Sequence, residues 1–212
     1  MIKGKDGSNI PKVVIERIPR YYRYFDWLDG QAEKISSKKL GELMDTSASQ
    51  VRLDLSYFGD FGQQGYGYNV KKLKRELGNI LDIHTKKQVI IIGAGNIGRA
   101  LTRFNAIKEA GFDLMALFDV KPILIGERIS DVEIHHIEDL PSYLDTHEIS
   151  IAVLAIPKQV ANDVARILLE HGVKGILNFS RTDLEVPKEF PIENIHIIDK
   201  ILALAFIIKS NV

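Results

Sequence analysis

Four β-branched residues, Val89-Ile90-Ile91-Ile92, run straight into Gly93-Ala94-Gly95-Asn96-Ile97-Gly98, and a helix-forming run follows with Arg99-Ala100-Leu101. In a G-x-G-x-x-G of this kind the first glycine permits a tight turn. The second lets backbone approach a pyrophosphate, and the third lets helix and strand pack closely. The helix N-terminus then offers free N–H groups and the positive end of its dipole to bound phosphate. A second apolar stretch, Leu114-Met115-Ala116-Leu117-Phe118, ends in Asp119, 21 residues past Gly98. An acid there hydrogen-bonds the adenosine ribose hydroxyls and repels a 2′-phosphate, which predicts NAD(H) rather than NADP(H). The cofactor candidates are Gly93, Ala94, Gly95, Asn96, Ile97, Gly98 and Asp119, with Lys121 beside the ribose.

Composition excludes several alternatives. The 212 residues contain no cysteine, so disulfides, thiolate metal sites and cysteine nucleophiles are ruled out. The six histidines show no ligand spacing, and adjacent His135 and His136 point apart on a strand, so no metal is expected. The opening residues lack the apolar run of a signal peptide and nothing approaches a transmembrane span, so a cytoplasmic protein without membrane contact is expected. Net charge is zero, but residues 1–85 carry a surplus of +3 and residues 86–212 one of −3. A basic first part is compatible with a nucleic-acid partner.

Residues 1–9 read as a flexible arm. From Pro11, Val14, Ile15, Ile18, Tyr21, Tyr22, Phe25 and Leu28 recur at helical steps, with Pro19 expected to bend the helix or split off its first turn. Ser36 or Ser37 caps a short helix, Asp45-Thr46-Ser47 turns, and Ala48 to Phe58 is a second helix burying Val51, Leu55 and Phe58. Two short helices across a tight polar turn form a helix-turn-helix. Glycines between aromatics over 61–69 suggest a two-stranded wing, and Val70 to Leu81 closes a winged-helix domain, residues 1–84. Ser47, Ser49, Gln50 and Arg52, early in the second helix, are types that contact phosphates and base edges. Arg52 suits guanine and Gln50 adenine, while Lys12, Lys38 and Lys39 would hold the backbone.

Beyond a short linker strands and helices alternate: strand 88–92, helix 96–109, strand 113–118, helix 139–146, strand 149–155, helix 158–170 and strand 174–178. That pattern predicts a parallel sheet covered on both faces, a Rossmann-type domain over 85–198. Ile195-His196-Ile197-Ile198 reads as a last strand, and Asp199 to Lys209 as a C-terminal helix within 199–212. That helix is apolar on nearly every side, which marks it for dimerisation.

Read together, these residues resemble the redox-sensing transcriptional repressor Rex family from Ile10 to the C-terminal helix. The resemblance is carried by Ile10-Pro11-Lys12, Arg20-Tyr21-Tyr22-Arg23-Tyr24, Asp54-Leu55-Ser56-Tyr57-Phe58-Gly59, Gly65-Tyr66-Gly67-Tyr68-Asn69, the glycine loop and Gly175-Ile176-Leu177-Asn178-Phe179. It implies a homodimer with exchanged C-terminal helices, in which NADH closes the dimer and moves the DNA-reading heads out of register with a pseudo-palindromic operator. NAD⁺ occupies the same site and permits DNA binding. Tyr57 joins the DNA-facing set, and Ala155-Ile156-Pro157 lines the nicotinamide side of the pocket. In the family an Asp before the last helix alternates between a Tyr of the first Rossmann helix and an Arg of the partner's first helix. Here those places hold His196, Phe104 and Arg23. Leu53, Lys121 and Ser180-Arg181-Thr182 also depart from the family pattern. Two other readings stay open: a small NAD-dependent oxidoreductase, disfavoured because no acid/base pair stands at a recognisable spacing, and a paralogue with weakened DNA or redox response.

Overall fold

The computed structural model describes residues 3–5, 7–63 and 66–210. Gly65 of the expected wing, parts of the expected arm and the last two residues of the chain lie outside the described residues. The chain forms two units, Met1–Thr85 and Lys86–Val212.

In the first unit, α1 (Lys12–Leu28) buries Val14, Ile18, Tyr21, Phe25 and Leu28 along one face. The expected split at Pro19 does not occur. Pro19 sits on the exposed side, and buried residues before and after it hold the helix in one piece. Strand β1 (Lys34–Ile35) precedes α2 (Ser37–Met44), whose N-cap Ser36 accepts from the Lys39 N–H. Asp45 turns in the left-handed region, and Ser47 caps α3 (Ala48–Ser56) by accepting from the Gln50 N–H. The turn is tight because Gly41 leaves room for it: a Cβ there would lie 2.6 Å from the Thr46 carbonyl oxygen. Helix α3 ends two residues earlier than expected, and Phe58 packs on the core from the following turn.

Strands β2 (Gly62–Gln63) and β3 (Gly67–Asn69) form the wing, and β1 joins it to give the order β1-β3-β2. Asn69 caps α4 (Val70–Leu81), the closing helix. The arm is not free: the Lys5 N–H donates to the Tyr57 carbonyl at 3.0 Å.

The second unit begins with β4 (Lys87–Ile92), then α5 (Asn96–Thr102) and α6 (Asn105–Glu109). The single helix expected over 96–109 breaks at Arg103-Phe104. Thr102 Oγ1 bonds back to the Gly98 carbonyl, and α6 buries no residue that would pull it into line. There follow β5 (Phe112–Asp119), β6 (Arg128–Ile129), β7 (Val132–His136), α7 (Leu140–Thr146), β8 (Ile151–Leu154), α8 (Lys158–Glu170), β9 (Gly175–Asn178), β10 (Ile192–Asn194) and α9 (Ile197–Ser210).

The sheet order is β10-β9-β8-β4-β5-β7-β6. Every pairing is parallel except β6 with β7. Without the β6 edge this is the doubly wound Rossmann order, with its switch point between β4 and β8. Central β4 alternates between two cores: Ile90 and Ile92 face Leu140, Val164 and Leu168, while Val89 and Ile91 face Leu117 and Ile134. The last strand lies earlier than expected, because residues 191–195 pair with β9 and Ile197 already opens α9.

Candidate cofactor site and nucleic-acid interface

The three glycines of the loop do different work. Gly93 has φ +105° and would place a Cβ 2.4 Å from the Ala155 carbonyl oxygen. At Gly98 a Cβ would fall 1.9 Å from the Gly93 carbonyl oxygen. Gly95, the N-cap of α5, has nothing within 4 Å of its Cβ position and no side-chain cap. Two glycines thus close the strand-turn-helix, while the third opens a space at a helix N-terminus. That arrangement fits a dinucleotide pyrophosphate.

Asp119, at the end of β5, is held against this loop. Its Oδ2 accepts from the Ala94 N–H at 2.7 Å and its Oδ1 from the Lys121 N–H at 3.0 Å. Each oxygen keeps a second lone pair for a ribose hydroxyl. The Lys121 side chain is exposed. Across the switch point, the Ala155 N–H donates to the Ile92 carbonyl, Ile156 touches the Gly93 position, and Pro157 opens α8. Asn96 and Ile97 form the first turn of α5.

Ile97 also borders a cavity of about 610 Å³ with Phe179, Arg181, Asp183, His196 and Asp199. His196 Nε2 lies 4.0 Å from Asp183 Oδ1, a pairing that chain spacing did not display and that exceeds hydrogen-bond reach. Phe104 is 60% exposed at the α5–α6 break. Arg23 is exposed on α1 in the other unit. Among the described residues no cluster of His, Asp or Glu suits a metal ion.

The first unit exposes Ser49, Arg52, Leu53 and Ser56 along α3. Arg52 donates to Ser37 Oγ at 2.9 Å and lines a groove together with Ser36, the cap of α2, and Gly62, Tyr66 and Gly67 of the wing. Lys38 is exposed, Lys39 pairs with Glu42, Lys12 pairs with Glu16, and Ser47 Oγ bonds Ser49 Oγ. Gln50 differs from expectation. It is half-buried, and its amide nitrogen donates to Asp54 Oδ1 at 2.7 Å, a bond within the helix that the sequence reading of Gln50 did not include. Tyr57 is half-buried.

A family model described as a putative DNA-binding protein N-terminus matches residues 9–56, and one described as a CoA binding domain matches residues 84–182. A redox-sensing transcriptional repressor Rex from Clostridium botulinum is 45% identical over 205 residues, covering 96% of this chain and 98% of that relative. Its namesake from Clostridium perfringens is 42% identical over 205 residues, 96% and 97% of the two chains. The chain belongs to the Rex family. Among solved structures, RSP in complex with β-NAD⁺ and operator DNA superposes with a TM-score of 0.91 at 40% identity, covering 96% of this chain and 94% of that one. RSP with β-NADH gives 0.88 at 36% identity, covering 96% of both chains.

In this member of the Rex family, sequence reasoning missed three groups. Asp54 is fully buried and accepts both Arg17 Nε and a terminal guanidinium nitrogen at 2.7 Å, and the Tyr21 hydroxyl at 3.0 Å. Burial first, and the Asp54 charge second, push the Tyr21 hydroxyl well above the usual tyrosine range. The hydrogen bond to Asp54 raises the Arg17 guanidinium. Arg99 donates to the Ala94 carbonyl at 2.9 Å and pairs with Glu127 at 3.0 Å, so it ties down the same loop residue whose N–H Asp119 holds. Buried Asn178 donates to the Thr182 carbonyl and Asn194 Oδ1, and accepts from the Ser180 N–H and hydroxyl.

Proposed function

We propose that this chain is a DNA-binding transcriptional repressor that responds to the NADH/NAD⁺ ratio, with NADH closing a homodimer and releasing operator DNA. One observation carries the reading. A single chain joins a glycine loop opened for pyrophosphate at Gly95, with Asp119 fixed for the ribose, to a helix-turn-helix that exposes Ser49 and Arg52. RSP, which matches 96% of this chain, has been solved with β-NAD⁺ and operator DNA and with β-NADH.

The cofactor contacts are Gly93, Ala94, Gly95, Asn96, Ile97, Gly98, Asp119, Lys121, Ala155, Ile156 and Pro157. The DNA contacts are Lys12, Lys38, Lys39, Ser47, Ser49, Gln50, Arg52 and Tyr57. Helix α9 supports the dimer: Ile201, Leu202, Leu204, Phe206 and Ile208 are each more than half exposed, on several sides of one helix. A helix so apolar finds cover in a partner subunit, and exchange of helices between subunits supplies it. Two recognition helices related by a two-fold axis require a pseudo-palindrome with half-sites about one helical turn, or a multiple, apart. The switch runs through His196, Phe104 and Arg23. This reading puts the protein in the cytoplasm, with DNA and its own second copy as partners. No described helix is long and apolar enough to cross a membrane. The protein's role in this reading is sensing rather than catalysis, and His196 and Asp183, 4.0 Å apart with Asp183 92% exposed, do not form a hydrogen-bonded acid/base pair.

The test titrates a selected duplex with protein at fixed concentration while NADH and NAD⁺ are varied separately, alongside a cofactor turnover assay. Release by NADH and retention with NAD⁺, without turnover, is the expected result. Turnover of NADH with no preferred duplex would overturn the proposal.

A further inference from the structure

We propose that Leu53 makes this protein read a thymine methyl group in each operator half-site. The inference rests on the DNA-binding reading and adds a base preference to it.

Helix α3 exposes four side chains in one stripe, Ser49, Arg52, Leu53 and Ser56, at i, i+3, i+4 and i+7. The three polar members are already engaged within the protein. Ser49 bonds Ser47 Oγ at 2.9 Å, Arg52 donates to Ser37 Oγ at 2.9 Å, and Ser56 Oγ donates to the Leu53 carbonyl at 2.8 Å. Leu53 is 52% exposed in the middle of the stripe, while its neighbours Val51 and Leu55 are buried on the opposite side. The core therefore makes no use of half of this side chain.

An α3 seated in the major groove would bring Leu53 onto base edges. Those edges are donors and acceptors, save for the C5-methyl group of thymine. A leucine pressed on an amino or carbonyl edge strips its water and offers no bond in return. Pressed on the thymine methyl, it gains burial instead. Leu53 thus both rewards thymine and penalises the other bases at one position. Because it carries no charge it adds nothing to phosphate attraction, so it acts on base preference and leaves the salt dependence of binding unchanged.

The experiment starts from a duplex that the parent protein selects from a randomised pool. It is resynthesised with uracil in place of thymine, one position at a time, which deletes only the methyl group. Binding is followed by fluorescence anisotropy for the parent, Leu53→Ala and Leu53→Lys, with NADH affinity and melting temperature confirming that each variant is folded. The parent is expected to lose about fourfold at one thymine per half-site, equivalent to about 0.8 kcal/mol for one buried methyl group. Leu53→Ala should be indifferent to that replacement. Leu53→Lys should be equally indifferent and show a steeper salt dependence. A parent that binds its selected duplex but tolerates every uracil overturns the role of Leu53 alone, as does a Leu53→Ala variant that keeps the parental sensitivity. A pool that yields no preferred sequence overturns the DNA-binding reading, and this inference with it.

Discussion

Replacing Gly95 by valine challenges the cofactor site while sparing the fold. The Gly95 Cβ position has no heavy atom within 4 Å, so the folded state accepts the larger residue, and stability should change by no more than about 0.5 kcal/mol. The isopropyl group then fills the space in front of the α5 N-terminus. Two backbone N–H bonds to phosphate, each worth about 1.5–3 kcal/mol, are lost, so NADH affinity should fall by more than about 100-fold. Gly98→Ala is the contrasting perturbation. Its Cβ would sit 1.9 Å from the Gly93 carbonyl oxygen and 3.3 Å from Ile91 Cγ2, so strand and helix must separate. Overpacking of that kind costs about 1–3 kcal/mol, expressed without any ligand. The two are separated by thermal unfolding with and without NADH, together with a fluorescence titration of NADH. At a hundredfold excess over Kd the parent gains about 2.7 kcal/mol from the cofactor and Gly95→Val gains almost none. Parental NADH affinity in Gly95→Val would place the site elsewhere, and parental stability in Gly98→Ala would refute the packing argument.

Other outcomes follow from the same coordinates. Because burial and Asp54 raise the Tyr21 hydroxyl, the folded state keeps a proton that the unfolded chain gives up. The Tyr21 contribution to the stability of the first unit is then full below about pH 10 and falls above it by up to about 1.4 kcal/mol per unit; urea midpoints from pH 8 to 11 should show the slope, and Tyr21→Phe should reduce it to the part left by Tyr68, whose hydroxyl burial also raises. Arg52→Ala should cost about 1–3 kcal/mol of operator affinity and relax the preference at one base pair per half-site, whereas uniform weakening across all duplexes would make Arg52 a phosphate clamp. His196→Asp combined with Phe104→Tyr should lower the NADH concentration that releases half of the bound DNA, since a ligand shifts two states only through their difference in affinity. An unchanged release curve would remove these residues from the switch.

The features legible in the sequence were those that repeat or that only one residue type satisfies. Gly93, Gly95 and Gly98 announce their roles by spacing, and the Val89–Ile92 run announces a strand buried on both faces. Ser36, Ser47 and Asn69 each stand where a cap is needed. Features that depend on distant partners stayed hidden. Asp54 looks like any helix-surface acid until α1 brings Arg17 to it across 37 residues of chain. Gln50, by contrast, bonds Asp54 from one turn away, an i,i+4 pair that helical spacing does display. Strands β1, β6 and β10 are two or three residues long, too short for any alternation to show, and only pairing with a neighbour makes them strands. Arg99 stands in a helix-forming run, and nothing in that run shows that its guanidinium reaches back to the loop five residues earlier.

The bonding of α3 to α1 through Asp54 has a thermodynamic consequence. A recognition helix that is merely packed can tilt and fray, and must be ordered afresh each time it meets DNA. Here Arg17, Tyr21 and Gln50 all converge on one carboxylate, so the attitude of α3 is settled when the domain folds. The ordering entropy has then been met before DNA arrives. Association should accordingly show a heat-capacity change no larger than the contact surface itself accounts for, without the excess that accompanies coupled folding.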